Sequence, residues 1–275
     1  MIRKSIFITG AASGIGRETA LLFAQKNWYT GLVDIDETAL QTLAATIGEK
    51  NCFYRAADIT DADAVAAAMA AFSEQTGGTM DVLLNNAGMI AFGGFDAVAL
   101  EKSQQVVDVN FKGSLNCIYH AVPYLKKASG ARIINMSSAS ALYGIPALSV
   151  YSATKHALSA ITEAFDVEFQ KYGIKVCDIQ PPYVKTPLLD SPAPVHNIEK
   201  MGVRLEPAAV AEAVWRATCK DKLHWKMADA RMVALLRWLP WRFRRFLLKK
   251  LTISPENHSA LAERPIPESK NESSA

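Results

Sequence analysis

The stretch Thr9-Gly10-Ala11-Ala12-Ser13-Gly14-Ile15-Gly16 constrains this chain more than any other, because it joins an apolar run at Ser5–Thr9 to a helical pattern beginning near Arg17. A strand that turns sharply into a helix needs a residue without a Cβ at the turn, and Gly10 supplies it. Gly14 lets backbone approach a bound pyrophosphate, and Gly16 lets the helix pack close to the strand. Ser13 and Ile15 belong to the same turn, whose helix N-terminus faces the negative charge of such a ligand. The next apolar run, Gly31-Leu32-Val33-Asp34, ends on an acid about 20 residues downstream, where a carboxylate can accept both ribose hydroxyls of a dinucleotide. Asp34 also repels the 2′-phosphate of NADP, and neither Ser13 nor Ile35 is a compensating Arg or Lys, so the pattern favours NAD.

Short apolar runs recur at Thr30–Asp34, Cys52–Ala56, Val82–Asn85, Arg132–Met136 and Lys175–Gln180, separated by helix-like segments. Helical periodicity marks Arg17–Lys26, Ala62–Glu74, Phe111–Lys126 and Lys155–Tyr172. This rhythm predicts an α/β fold, a doubly wound parallel sheet of the Rossmann type, as one domain with a helical extension. Residues 1–227 form the nucleotide-binding catalytic domain in this reading, 228–253 the extension, and 254–275 a polar, disordered tail. No cleavable leader is expected before the first strand, because the apolar run Ile6–Ile8 leads directly into the glycine turn. Four separated cysteines with no C-x-x-C pair indicate neither a metal site nor a disulfide framework, and they fit a reducing, cytoplasmic setting. Ile133–Thr154 has the length of a membrane span, but Asn135, several serines, Gly144 and Pro146 exclude that reading.

Three further segments carry chemistry: Asn85-Asn86-Ala87-Gly88, Tyr151-Ser152-Ala153-Thr154-Lys155 and Pro181-Pro182-Tyr183-Val184-Lys185-Thr186-Pro187. A Tyr-x-x-x-Lys pair alone decides nothing, since about 0.5 such matches arise by chance from this composition. Taken in order with the T-G-x-x-x-G-x-G turn, the set resembles the classical short-chain dehydrogenase/reductase family over roughly residues 5–222. The resemblance implies a catalytic serine 13 residues before the tyrosine, which selects Ser138 over Ser137, and a fourth catalytic position at Asn110. It further implies that Asn86, Ala87 and Gly88 border the cofactor in a mainly structural role. Pro181, the Val184 backbone and the Thr186 hydroxyl are placed near the nicotinamide carboxamide. Pro182 stands where the family usually has glycine; it fixes φ and removes a donor, so it bears on the path of this loop. Asp58 and Ile59, after the third strand, are candidates for the adenine side, Asp58 reading equally as a turn residue before a helix cap at Thr60.

The residue types also make chemical sense. Tyr151 and Lys155 are four apart and share a helical face; an ammonium beside a phenol favours phenolate, lowering a pKa that starts near 10, and an oxidised nicotinamide adds to the effect. Tyr151 is then the general base. Ser138 holds the substrate oxygen, and by the resemblance Lys155 reaches the nicotinamide ribose while Asn110 positions a relay water. The expected reaction is hydride transfer between NAD and an alcohol or carbonyl compound, with a catalytically idle NAD-binding scaffold or sensor as the alternative. Apolar and aromatic residues at Ala91–Phe95, Ala139–Ile145 and Tyr183, with a lid over Leu188–Leu205, favour a hydrophobic alcohol or ketone. A homodimer through helices 111–126 and 155–172 is expected.

The net charge of +3 conceals a local block: Leu223–Leu251 holds eight Lys or Arg against one Asp. No nucleic-acid reader module accompanies it, so no nucleic-acid partner is expected. Met232, Leu235, Leu236 and Leu239, then Phe243, Phe246, Leu247 and Leu251, recur at helical intervals on either side of Pro240. The pattern predicts two basic amphipathic helices over 229–251, and a membrane surface competes with the core, the substrate pocket or a dimer partner for their apolar faces.

Overall fold

The computed structural model describes residues 3–189, 205–227 and 239–252. Seven parallel strands form one sheet in the order β3-β2-β1-β4-β5-β6-β7: β1 (Ser5–Thr9), β2 (Tyr29–Asp34), β3 (Cys52–Ala56), β4 (Val82–Asn85), β5 (Arg132–Met136), β6 (Lys175–Gln180) and β7 (His224–Lys226). β1 and β4 are buried along their whole length, as strands covered on both faces must be, whereas the edge strand β3 is mostly exposed beyond Cys52. The strand order reverses between β1 and β4, which opens a crevice at their carboxyl ends.

Helices cover both faces. On one lie α1 (Gly14–Gln25), α2 (Glu37–Ile47) and α7 (Pro207–Ala217), which bury Ala20, Phe23, Leu40, Leu43, Val210 and Val214 against the sheet. Phe23, Trp28 and Trp215 close the contact between α1 and α7 with ring centroids 5.1–5.8 Å apart, each edge-to-face pair adding about 0.5–1.5 kcal/mol beyond its buried area. On the other face, α3 (Ala62–Gln75) and α5 (Ser114–Leu125) bury Val65, Met69, Phe72, Cys117, Ile118 and Leu125, and α6 (Ser149–Glu168) adds Ile161 and Phe165. α4 (Leu100–Val107) runs into a six-residue π-helical turn, Asp108–Gly113, ahead of α5.

Local chemistry sets these boundaries. Asp36 caps α2 by accepting the Ala39 N–H, and Asp61 caps α3 by accepting those of Asp63 and Ala64. The cap of α3 is therefore Asp61 and not Thr60, because the Asp58 carboxylate takes the Thr60 N–H at 2.8 Å and turns the chain one residue further. α6 begins at Ser149, six residues before the start its periodicity marks, so Tyr151 lies in its first turn. α2, α4, α7 and β7 complete the fold beyond the segments that periodicity marks. α4 is short and polar, and β7 has only three residues, so neither carries a readable period. Most of the expected lid, the first of the two basic helices and the tail fall outside the described residues.

β7 is held by a buried acid. Asp178 in β6 is fully buried and accepts hydrogen bonds from Ser159 at 2.8 Å and Gln180 at 3.1 Å, while His224 Nδ1 lies 3.0 Å from its other oxygen. The second ring nitrogen faces Glu163 at 3.2 Å. The hydrogen bond to Asp178 raises the His224 pKa above its ordinary value of 6.5, against the effect of burial. A group whose folded pKa is raised contributes stability that is complete below the unfolded value and is lost as pH rises through the folded one. Thermal denaturation should therefore show His224→Gln costing on the order of a few degrees more at acidic pH than at alkaline pH. A pH-independent difference would refute the link.

Candidate active site

Every site residue named from sequence lies at or near the carboxyl edge of the sheet, where the crevice opens. The Thr9 hydroxyl accepts the backbone N–H groups of Asn86 and Ala87, both at 3.1 Å, and donates to the Leu84 carbonyl at 3.4 Å. Asn86 Nδ2 donates in return to the carbonyls of Thr9 and Gly10, each at 3.0 Å. These bonds fix the glycine turn against the end of β4. Gly10 and Gly14 hold φ of +66° and +51°. A Cβ on Gly16 would lie 2.0 Å from the Gly10 carbonyl oxygen, so only glycine fits where α1 meets the turn. Ser13 occupies the N-cap without a side-chain capping bond, and the Ile15 carbonyl accepts the Thr19 hydroxyl one turn on.

Asp34 is fixed before any ligand arrives. One carboxylate oxygen accepts the N–H groups of Ile35 at 2.8 Å and Asp36 at 3.2 Å, the other that of Ala12 at 3.0 Å. The carboxylate therefore joins the end of β2 to the glycine turn, with Ile35 exposed beside it. Asp58 is a turn residue by its bond to Thr60, and the Ile59 side chain is buried against Gly113 under the π-helical turn.

On the other side of the crevice, Asn110 is fully buried in that turn. Its Oδ1 accepts the Met89 N–H at 2.7 Å, and its Nδ2 donates to the Met89 carbonyl at 2.9 Å and to Thr154 Oγ1 at 3.2 Å. The side chain thus clamps the loop after β4 to α6. Gly88 lies between this clamp and the lysine: a Cβ there would be 3.2 Å from Asn110 Oδ1 and 3.7 Å from Lys155 Nζ. Lys155 Nζ donates to the Met136 carbonyl at 2.8 Å and stands 5.6 Å from the centre of the Tyr151 ring. Ser138 hydrogen-bonds Tyr151 and accepts the Ser140 N–H at 3.2 Å, whereas Ser137 is buried and donates to the Lys155 carbonyl. Ala147, two residues before α6, adopts a left-handed φ of +64°, and its carbonyl accepts the Gly93 N–H at 3.0 Å. That strained residue ties the loop after β4 to the start of the tyrosine helix.

The loop after β6 closes the cluster. The Pro181 carbonyl accepts the Ala139 N–H at 2.8 Å, and Val184 forms an isolated bridge with Leu205, so the path through Pro182 is pinned at both ends. A Cβ on Gly14 would lie 2.9 Å from the Thr186 methyl, which places this loop against the glycine turn. Of the expected pocket wall, Ala141, Leu142 and Ile145 are buried. The cleft beside Tyr151 is lined by Ala91 and Phe95 of the expected wall, with Val98, Val106 and Val150 and the polar Ser103 and Ser149.

Electrostatics here differ from the expectation of a phenol already lowered by its lysine. Burial pushes the Tyr151 phenol up to about 12, although the Ser138 hydrogen bond pulls the other way. Burial also lowers the Lys155 ammonium to about 8. Desolvation outweighs mutual attraction because the two groups share a dry site.

The short chain dehydrogenase family model matches residues 4–194. The chain belongs to that family. Its members are oxidoreductases that use a nicotinamide cofactor. A cyclohexanol dehydrogenase of Acinetobacter sp. SE19 is 32% identical over 220 residues, covering 77% of this chain and 86% of its own. An uncharacterized oxidoreductase of Thermotoga maritima is 31% identical over 232 residues, or 79% and 91% of the two chains. The crystal structure of a 3-ketoacyl-(acyl-carrier-protein) reductase from Brucella melitensis complexed with NADH superposes with a TM-score of 0.75 at 29% identity, covering 82% of this chain and 98% of that one.

Several residues that build this short-chain dehydrogenase site escape the motif reading. Thr9 and Thr154 stand inside the motifs, where a hydroxyl in a glycine turn or on a tyrosine helix could have marked them. The carbonyls of Met89 and Met136 have no sequence signal at all. Removing the clamp tests its weight: Asn110→Ala strips two buried backbone groups of Met89, and urea denaturation should show a loss of about 1–3 kcal/mol per stripped group. An unchanged midpoint would mean that the π-helical turn holds without its asparagine.

Proposed function

We propose that the chain is an NAD-dependent oxidoreductase that interconverts a hydrophobic secondary alcohol and its ketone, or an alcohol and its aldehyde, with Tyr151 as the group that moves the proton. The observation that carries this reading is Tyr151, which lines a cleft with Ala91, Val98, Val106 and Val150, standing beside Lys155 and Ser138 in a chain whose glycine turn is fixed to Asp34. The turn suits a dinucleotide: positive φ at Gly10 and Gly14 and an α1 N-terminus with no side-chain cap leave backbone N–H groups for a pyrophosphate. Asp34 keeps lone pairs for the ribose hydroxyls and supplies the charge that disfavours a 2′-phosphate. The Val184 backbone and the Thr186 hydroxyl are assigned to the carboxamide, and Lys155, beside Gly88, to the nicotinamide ribose. Bound there, the nicotinamide accepts or returns the hydride and in its oxidised form brings a positive charge into the cleft.

Within this frame Ser138 holds the substrate oxygen and the Tyr151 phenol exchanges the proton with it. Lys155, still mostly protonated near neutrality at a pKa of about 8, stabilises the phenolate. With the phenol near 12 when no cofactor is present, the resting state is the acid form, ready for carbonyl reduction. Alcohol oxidation needs the added positive charge to lower it. The lining by Ala91, Phe95, Val98, Val106 and Val150 favours an apolar substrate. Cyclohexanol, named in the activity of the Acinetobacter relative, is an apolar secondary alcohol.

A panel of hydrophobic alcohols with NAD, read by NADH absorbance, tests the reading directly; no turnover across it and none with the matching ketones and NADH would favour an idle scaffold. Tyr151→Phe should lower turnover about 10²–10⁴-fold with cofactor affinity nearly unchanged, while Lys155→Ala should damage both. Oxidation should accelerate with rising pH as the phenol gives up its proton. A flat profile would remove Tyr151 from the proton path.

Cofactor choice provides a separate measurement. The wild-type chain should prefer NAD to NADP by at least about tenfold in kcat/KM, the equivalent of one 1.4 kcal/mol repulsion, and Asp34→Ala should narrow the gap. Equal use of both cofactors by the wild type would contradict the role given to Asp34.

A further inference from the structure

The last described helix, α8 (Trp241–Thr252), is unlike the rest of the molecule. It begins directly after Pro240, whose carbonyl accepts the N–H groups of Phe243 and Arg244 at 3.0 Å each, so proline fixes its start. Its twelve residues include Arg242, Arg244, Arg245, Lys249 and Lys250 and no acid. Trp241, Phe243 and Phe246 are 58, 53 and 60% exposed. At 100° per residue, Arg242, Arg245 and Lys249 fall within a sector of about 60°, with the two phenylalanines on the arc to one side of it and Trp241 on the other, and Arg244 on the far side of the helix. The Arg244 guanidinium lies 5.1 Å above the Trp241 ring.

From this juxtaposition we infer that α8 is a docking surface for an anionic lipid bilayer, lying in the plane of the headgroups with Phe243 and Phe246 toward the acyl chains, Trp241 at the boundary on the opposite flank, and its arginines on lipid phosphates. Each component has a reason. Exposed aromatic rings concentrated within six residues need an apolar phase, and an amphipathic tryptophan with a cation over its face suits the boundary between water and hydrocarbon. The cations need anions, which a phosphate-rich surface supplies without a specific pocket. A second copy of the chain is a poorer occupant, because a two-fold contact would set these five positive charges against five more. A nucleic acid would satisfy the cations but leave the apolar arc in water. Among the described residues no helix is long and apolar enough to cross a membrane.

Flotation of the full chain with phosphatidylcholine vesicles, with and without phosphatidylglycerol, tests the inference. The protein should float with the anionic vesicles at about 50 mM salt, stay in solution with phosphatidylcholine alone, and be released at about 500 mM salt. Arg242→Gln with Arg245→Gln should lower the partition coefficient about 30-fold, each cation contributing about fivefold. Phe243→Ser with Phe246→Ser should abolish flotation while leaving NADH-linked turnover and circular dichroism unchanged, which separates loss of the surface from loss of the fold. Protein left in solution with anionic vesicles at low salt, or a phenylalanine variant that floats like the wild type, would overturn the assignment. A fall in solution mass from dimer to monomer in that variant would give the face to a second copy instead, and the catalytic reading stands or falls separately on turnover.

Discussion

The hydrogen bonds that Thr9 makes to Asn86 and Ala87, answered by Asn86 to the carbonyls of Thr9 and Gly10, hold the place on which the rest of the site depends. A parallel sheet whose strand order reverses must part its two central loops, and the parted ends of β1 and β4 would otherwise leave buried backbone groups without partners. One hydroxyl and one amide satisfy those groups and set the distance across the opening. The glycine turn can then be tight, because Gly16 lets α1 approach the turn, and Asp34 reaches the Ala12 N–H from the neighbouring strand. Ligand-binding geometry here is a by-product of satisfying the backbone at a topological break.

The opposite wall follows a similar logic with a different device. The π-helical turn at Asp108–Gly113 rotates Asn110 out of the α-helical register and into the interior, where it grips both backbone groups of Met89 and the hydroxyl of Thr154. A π turn widens the helix at some cost, and such turns persist where a side chain must be delivered to one place. Lys155 is held in the same manner by the Met136 carbonyl, and Ala147 by the Gly93 N–H in spite of its left-handed backbone. Strand ends, a strained residue and an irregular helix thus converge on Tyr151. Its charge is set more by the dryness they create than by the lysine beside it.

Much of this was readable in advance because strands and turns obey local rules. The six longer strands carry short runs rich in apolar residues, and five of them have the bounds that their sequence marks; β2 starts one residue earlier, at Tyr29. The glycine turn, Asp34, Ser138 and the tyrosine–lysine spacing each express a steric or chemical need within a few residues, so they are visible as text. What was not readable depends on partners far away in the chain. The start of α6 lies at Ser149 because the stretch before it is anchored to Gly93, and no periodicity reports that. β7 exists through a fully buried Asp178 that His224 answers across 46 residues. The side-chain bonds of Asn110 are of intermediate to long range, 21 residues to Met89 and 44 to Thr154, so no local pattern reports the clamp they form.

The phenol shows why residue types and spacing are insufficient for electrostatics. Tyrosine and lysine four apart suggest a lowered phenol, since opposite charges at short range favour the ionised pair. That argument holds in water, where neither group loses its solvation. In this cleft desolvation penalises the phenolate and the ammonium separately, driving the two pKa values apart, to about 12 and about 8. Spacing on a helix names the pair, but burial decides which protonation state of each group is the cheaper one.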